Sequence, residues 1–91
     1  MRYIKVKWIH RLPNEPIELY SELDKNRYEV RKIEVFRDGR LGYAGRNKTD
    51  GDTRLGIEPV PCLEKIASDP QFAPEEISKD EFDAMWIKAA T

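Results

Sequence analysis

The sequence predicts an α+β fold: a four-stranded antiparallel β-meander with two C-terminal helices packed on one sheet face. Three observations predict it. Residues 1–45 carry repeated runs in which apolar and polar side chains alternate, the period of half-buried strands. An Asp38-Gly39 pair sits between two such runs, a dipeptide suited to a tight hairpin. The last third switches to apolar residues three and four apart behind a helix-start signal at Ser78.

The first strand runs from Arg2 to His10, where Ile4, Val6 and Trp8 alternate with Lys5 and Lys7. Leu12-Pro13-Asn14-Glu15-Pro16 follows as a loop, because its two prolines cannot donate to a ladder. Ile17 to Leu23 alternates again, with Ile17 and Leu19 facing away from Glu18, Tyr20 and Glu22. Asp24-Lys25-Asn26 is a polar turn. Arg27 to Arg37 is a longer strand whose phase slips: Tyr28 and Val30 share one parity, Ile33 and Val35 the other. A β-bulge near Arg31-Lys32 would bring all four to the core face; a strand partly buried on both faces is the alternative. A type I′ turn at Asp38-Gly39 would then pair Phe36 with Leu41 and set Arg37 opposite Arg40, with Arg40–Ala44 as the fourth strand.

Residues 46–58 are polar and glycine-rich at their start and are expected to form an exposed loop. Residues 59–91 are the helical part. Pro59-Val60-Pro61 leads into a helix over Cys62–Ser68 with Leu63, Ile66 and Ala67 on its stripe, stopped by Asp69-Pro70. In the last helix Ser78 and Glu81 form a capping box, and Ile77 staples onto Phe82. Phe82, Met85, Trp86 and Ala89 make one apolar stripe, and the sheet is the surface on which they can be buried.

Ninety-one residues suffice for one domain and one core. Hydrophobic residues make up 40% and charged ones 36%, on the globular side of the boundary with disorder. No apolar run approaches the roughly 18 residues that cross a bilayer, and no charged-then-apolar leader opens the chain. A soluble protein with no membrane association is expected. The single cysteine, Cys62, excludes an internal disulfide and a multi-thiolate metal site, and fits a reducing cytoplasm. The net charge of −1 hides a split: residues 1–54 hold thirteen Lys/Arg against nine Asp/Glu, and residues 55–91 hold three against eight. Such halves attract each other across a fold, or steer a charged partner.

Catalytic chemistry finds little to stand on, and the chain is read as non-enzymatic. A Ser-His or Cys-His arrangement would have to use His10, the one histidine. His10 at a strand end is read as a surface or loop-anchoring residue, and Cys62 as structural. The acidic residues before and within the first turn of the last helix are explained by its dipole. Asp50-Gly51-Asp52 lacks the remaining ligands of a calcium loop. Gly39, Gly42 and Gly45 are hairpin glycines rather than a phosphate cradle. No cofactor or metal is expected.

Two features suit binding. One is a basic tip of Arg37, Arg40, Arg46, Lys48 and Arg54 around the turn and the following loop, fitting an acidic protein surface or nucleic-acid phosphates. A pI near 5.9 and the interspersed Asp38, Asp50 and Asp52 weigh against nucleic acid. The other is the sheet face carrying Lys5, Lys7, Glu18, Tyr20, Glu22, Arg27 and Glu29, expected to face solvent. Tyr20 gives it aromatic surface, joined by Tyr3 and Phe36 if they turn outward. A first strand at the sheet's edge would also offer a route to a homodimer.

Tyr3-Ile4-Lys5-Val6-Lys7-Trp8, Tyr20-Ser21-Glu22-Leu23-Asp24 and Phe36-Arg37-Asp38-Gly39-Arg40 carry a resemblance that spans nearly the whole chain. Thr53-Arg54-Leu55-Gly56 and Glu76-Ile77-Ser78-Lys79 before Phe82 and Trp86 extend it. The chain resembles a small bacterial single-domain family of unknown function. That resemblance implies a stand-alone soluble protein and brings no activity. In size and style it is similar to immunity-type proteins that neutralise a partner toxin. The expectation is a protein-interaction module, immunity-like or regulatory, with Tyr20, Arg37, Arg40, Tyr43, Arg46 and Arg54 as contact residues. The alternative is a weak nucleic-acid binder using the same tip.

Overall fold

A computed structural model describes residues 1–46, 49 and 51–91. Its elements are β1 (Arg2–Trp8), β2 (Glu18–Leu23), β3 (Glu29–Val35), β4 (Leu41–Ala44), α1 (Leu63–Ala67), β5 (Phe72–Ile77) and α2 (Lys79–Ala90). The fold is α+β, with a five-stranded antiparallel sheet in the order β4-β3-β2-β1-β5. The expected four strands are present, and β5 is the correction. Its sequence, Phe-Ala-Pro-Glu-Glu-Ile, reads as a loop because Pro74 cannot donate.

Edge position removes that objection. Val6 lies opposite Pro74, and Ile9 donates to the Gln71 carbonyl at 2.7 Å. Since bonded pairs alternate along an antiparallel ladder, the odd residues of β1 bond to β5, and the Pro74 nitrogen points away from β1. Proline therefore breaks no rung. On the open side the Phe72 N–H is taken by the Asp69 carbonyl, so Glu76 alone offers an outward donor there. β1 itself lies between β2 and β5, so the homodimer expected through a first strand at the edge has no open ladder in β1.

A bulge does interrupt β3. Glu22 lies opposite Arg31 and Leu23 opposite Glu29, leaving Val30 as the extra residue, next to the expected position. It does not bring Tyr28 into the core, since Tyr28 is 43% exposed. What it does is let Arg31 and Glu29, two residues apart, serve opposite faces of the sheet. The turn before β3 closes on Arg27, whose φ of 67° is the one positive value at a non-glycine residue among those described. Asp24 holds that turn by accepting from the Asn26 and Tyr28 N–H groups through Oδ1.

Both faces of the sheet are covered, which corrects the expectation of two helices on one face. Tyr3, Tyr20, Ile33, Ile77 and Phe82 form one buried cluster, with Met85, Trp86 and Ala89 of α2 packed against it. Ile4, Val6 and Leu23 form another on the far side, flanked by Leu63 and Ile66 of α1. A direct helix-to-helix connection would keep both helices on one side. β5, inserted between them at the sheet edge, instead carries the chain through the sheet plane. The face expected to be wet, with Tyr20 and Glu22, is therefore the face under α2. In α2 the capping signal holds: the Ser78 hydroxyl accepts from the Glu81 N–H at 3.1 Å. Among the described residues, no helix is long and apolar enough to cross a membrane.

Charge beneath α2 is tolerated because it is fully partnered. Glu22, 7% exposed, accepts from Arg31 Nε at 2.6 Å and from the Tyr3 hydroxyl at 3.0 Å. Arg31 reaches on to Asp83 Oδ1 at 2.9 Å, and Lys79 pairs with the other oxygen of Asp83. The guanidinium also lies over the Phe82 ring at 4.8 Å and the Trp86 ring at 5.1 Å. Burial alone would push the Glu22 carboxyl up, but hydrogen bonds from Arg31 and Tyr3 outweigh it and hold it below its ordinary value. Lys79 and Arg31 hold the Asp83 carboxyl low as well.

Two outcomes follow. Phe82→Ala should lower unfolding free energy in urea by about 3–5 kcal/mol, because it opens a cavity in the core. Ile87→Ala, at a position 63% exposed on the same helix, should change it by less than about 0.5 kcal/mol. Both carboxylates titrate lower when folded than when unfolded, so their contribution is complete at neutral pH. It should fall away as pH drops below about 5 and the folded carboxylates take up protons. Urea midpoints measured from pH 7 to pH 3 should show that decline, with a shallower slope in Glu22→Gln.

Candidate functional site

The connection between β3 and β4 is a three-residue turn, not the two-residue turn expected. Val35 pairs with Leu41, and the Phe36 N–H donates to the Arg40 carbonyl at 2.9 Å. The Gly39 N–H returns to the Phe36 carbonyl at 2.9 Å, and Gly39 adopts φ 91°. This is a hairpin with a left-handed glycine at its third position, and Asp38 needs no positive φ in it. The Asp38 carboxylate instead accepts from the Arg40 N–H at 3.0 Å. The shift of register removes the expected Arg37–Arg40 rung. Arg40 now sits opposite Phe36 with its guanidinium 4.4 Å from the ring centroid.

The loop after β1 packs against this tip. His10 closes that loop: its Nδ1 accepts from the Leu12 N–H at 2.9 Å, and its Nε2 donates to the Pro16 carbonyl at 2.7 Å. In the neutral ring those partners place the proton on Nε2. Arg37 then donates to the His10 carbonyl at 2.9 Å, tying the two loops together. A cleft of about 440 Å³ opens between them, lined by Arg11, Pro13, Asn14, Phe36, Arg37, Asp38 and Arg40, with the Asp38 carboxylate turned to the Arg40 N–H. Among the described residues no carboxylate lies within ion-pair distance of Arg11, Arg37 or Arg40. Ile9 and Leu12, beside this cleft in sequence, are 57% and 51% exposed. A second cleft of about 520 Å³ shares Asn14, Phe36 and Arg40, and is acidic at Glu15, Glu34 and Asp52.

A family model described as Domain of unknown function (DUF6881) matches residues 2–91. The chain belongs to this family. No curated protein and no solved structure gives a match. As the sequence resemblance implied, DUF6881 is a family of unknown function, and its model here coincides with one sheet and its two covering helices.

Of the residues expected to make contacts in this DUF6881 domain, Arg37 and Arg40 meet at the cleft. The others disperse. Tyr20, 8% exposed, lies under α2 and is no part of a solvent face. Tyr43 is half-buried and meets Trp86 edge-on at 5.5 Å, also on the α2 side. Arg46 is exposed beyond β4. Arg54 braces its own loop, donating to the Gly51 carbonyl at 2.8 Å and the Thr53 carbonyl at 2.9 Å. Lys48 and Asp50 lie outside the described residues. The 46–58 loop is not exposed throughout, since Thr53 is buried and donates to Glu34 at 2.7 Å. A side chain at Gly42 would collide with it, its Cβ running into Thr53 Oγ1. Arg11 and Leu12 escaped the sequence reading, for they stand in a proline-flanked loop with no local pattern linking them to residues 36–40. Gly39→Ala should destabilise the domain by about 1 kcal/mol through its left-handed backbone alone, since nothing lies within 4 Å of a Cβ there. A urea midpoint unchanged from wild type would contradict that geometry.

Proposed function

We propose that the chain is a non-catalytic protein-interaction module, immunity-like or regulatory, of a bacterial cytoplasm, and that it grips an acidic segment of its partner. The observation that carries this reading is the convergence of three guanidinium groups, Arg11, Arg37 and Arg40, on one cleft around Phe36, where the single carboxylate, Asp38, is turned to a backbone N–H and forms no ion pair with them. By contrast, Arg2 pairs with Glu76, Lys5 with Glu18 and Glu75, and Arg31 with Glu22 and Asp83, while Arg27 and Arg54 are spent on backbone carbonyls. Guanidinium groups match carboxylates with paired donors, and arginine and aromatic residues are enriched at interface cores.

Protein is favoured over nucleic acid by what surrounds the cleft. Along the chain Arg11 is neighboured by exposed Ile9 and Leu12, aliphatic surface that phosphates do not use. The adjoining cleft with Glu15, Glu34 and Asp52 would repel a phosphate backbone running past Arg40. Immobilised wild-type protein should capture its partner from a cell extract, and Arg37→Glu combined with Arg40→Glu should abolish capture. Both residues are exposed, so the far-UV circular dichroism should be preserved. Capture that survives the double variant would remove the tip. Tight oligonucleotide binding that falls steeply between about 50 and 200 mM salt would favour the nucleic-acid reading instead.

A further inference from the structure

The face of the sheet away from α2 is incompletely closed. α1 is five residues long and contributes no buried residue. Leu19, Val60, Leu63, Ile66 and Phe72 are only partly buried around Ile4, Val6 and Leu23. Between the sheet and α1 lies a groove of about 440 Å³, open to solvent, whose apolar lining is Ile4, Val6, Leu19, Val60, Pro61, Ile66 and Phe72. Ligand sites run from about 300 to 1,000 Å³ with mainly apolar walls and a few polar groups.

The polar rim decides what such a ligand would carry. It consists of Ser21, Glu29, Lys32, Lys65 and Asp69. Glu29 is engaged at both oxygens, taking the Ser21 hydroxyl at 2.9 Å through one and the Gly56 N–H at 2.6 Å through the other. Asp69 takes the Gln71 N–H at 2.9 Å through Oδ1. The two lysines are less engaged. Lys65 has no carboxylate within ion-pair distance among the described residues. Lys32 meets Glu34 only at 3.9 Å and the Arg54 carbonyl at 3.2 Å, leaving donor capacity on an ammonium with three N–H groups.

We propose that this groove binds a small amphiphile with one anionic head, its apolar body against Val6, Leu19 and Phe72 and its head at Lys65 and Lys32. The site is separate from the arginine cleft and needs no partner protein. Octanoate, octanol and octylammonium, each titrated below its micelle-forming concentration into isotopically labelled protein, test it directly. Octanoate should give saturable amide shifts at Val6, Leu19, Ile66 and Phe72 and raise the melting temperature. It should bind about fivefold or more tighter than octanol, with octylammonium weakest. Lys65→Glu, at an exposed position, should bring octanoate down to the level of octanol and leave octanol unchanged. Octylammonium binding as tightly as octanoate would overturn the proposal, as would shifts confined to other surfaces. So would concentration-dependent dimerisation of the unliganded protein with protection of the same residues, which would assign the groove to a second copy.

Discussion

Glu22 sets the terms for the rest of the molecule. It is a carboxylate on the inward side of a sheet, where an unpartnered charge would be strongly destabilising. Its oxygens are met from two neighbouring strands, by Tyr3 of β1 and Arg31 of β3, and Arg31 in turn binds Asp83 of α2. One side chain thereby fixes the register of three strands and the angle at which a helix lies across them. The bulge at Val30 belongs to the same arrangement, because without the extra residue Arg31 and Glu29 would face the same way. Stacking of Phe82 and Trp86 on the guanidinium then completes the cover. Such a pair adds little net stability over apolar packing, whereas removing one partner would strand a buried charge.

The elements legible in the sequence were those whose signal is local. β1 to β4 announce themselves by alternation, and α2 by Ser78, Glu81 and an apolar stripe. β5 does not, because Pro74 and two glutamates mask a strand that only its place at the sheet edge permits. The assignment of faces was misleading for a related reason. Glu22 and Arg31 look like solvent residues one at a time, and only their pairing with each other and with Asp83, a fact of tertiary structure, lets them lie under a helix. At the candidate site Arg37 and Arg40 could be read from the turn they flank. Arg11 could not, since it reaches them through the His10-closed loop. Tyr20 looked like a surface aromatic and became core, and Tyr43 is half-buried against Trp86.

The stretch between Thr53 and Pro61 has no regular structure, yet it is fastened along the sheet by residues of β3 and the turn before it. Glu34 holds Thr53, Glu29 holds Gly56, and Arg27 holds the Val60 and Pro61 carbonyls at 2.7 Å each. These contacts turn a linker into a belt that walls the acidic cleft at one end and sets α1 over the apolar groove at the other. Both candidate sites thus depend on a segment held by polar contacts rather than by its own periodicity.

The pairing of β1 with β5 joins residues far apart in the sequence, Tyr3 with Ile77. During synthesis β1 therefore emerges early and waits for residues 72–77 while one of its edges stands bare. Until they arrive, that edge carries the donors of Tyr3, Lys5 and Lys7 with no proline to blunt it, a template for any extended segment nearby. The proline that hides β5 from pattern reading is also what keeps the finished sheet from offering the same invitation.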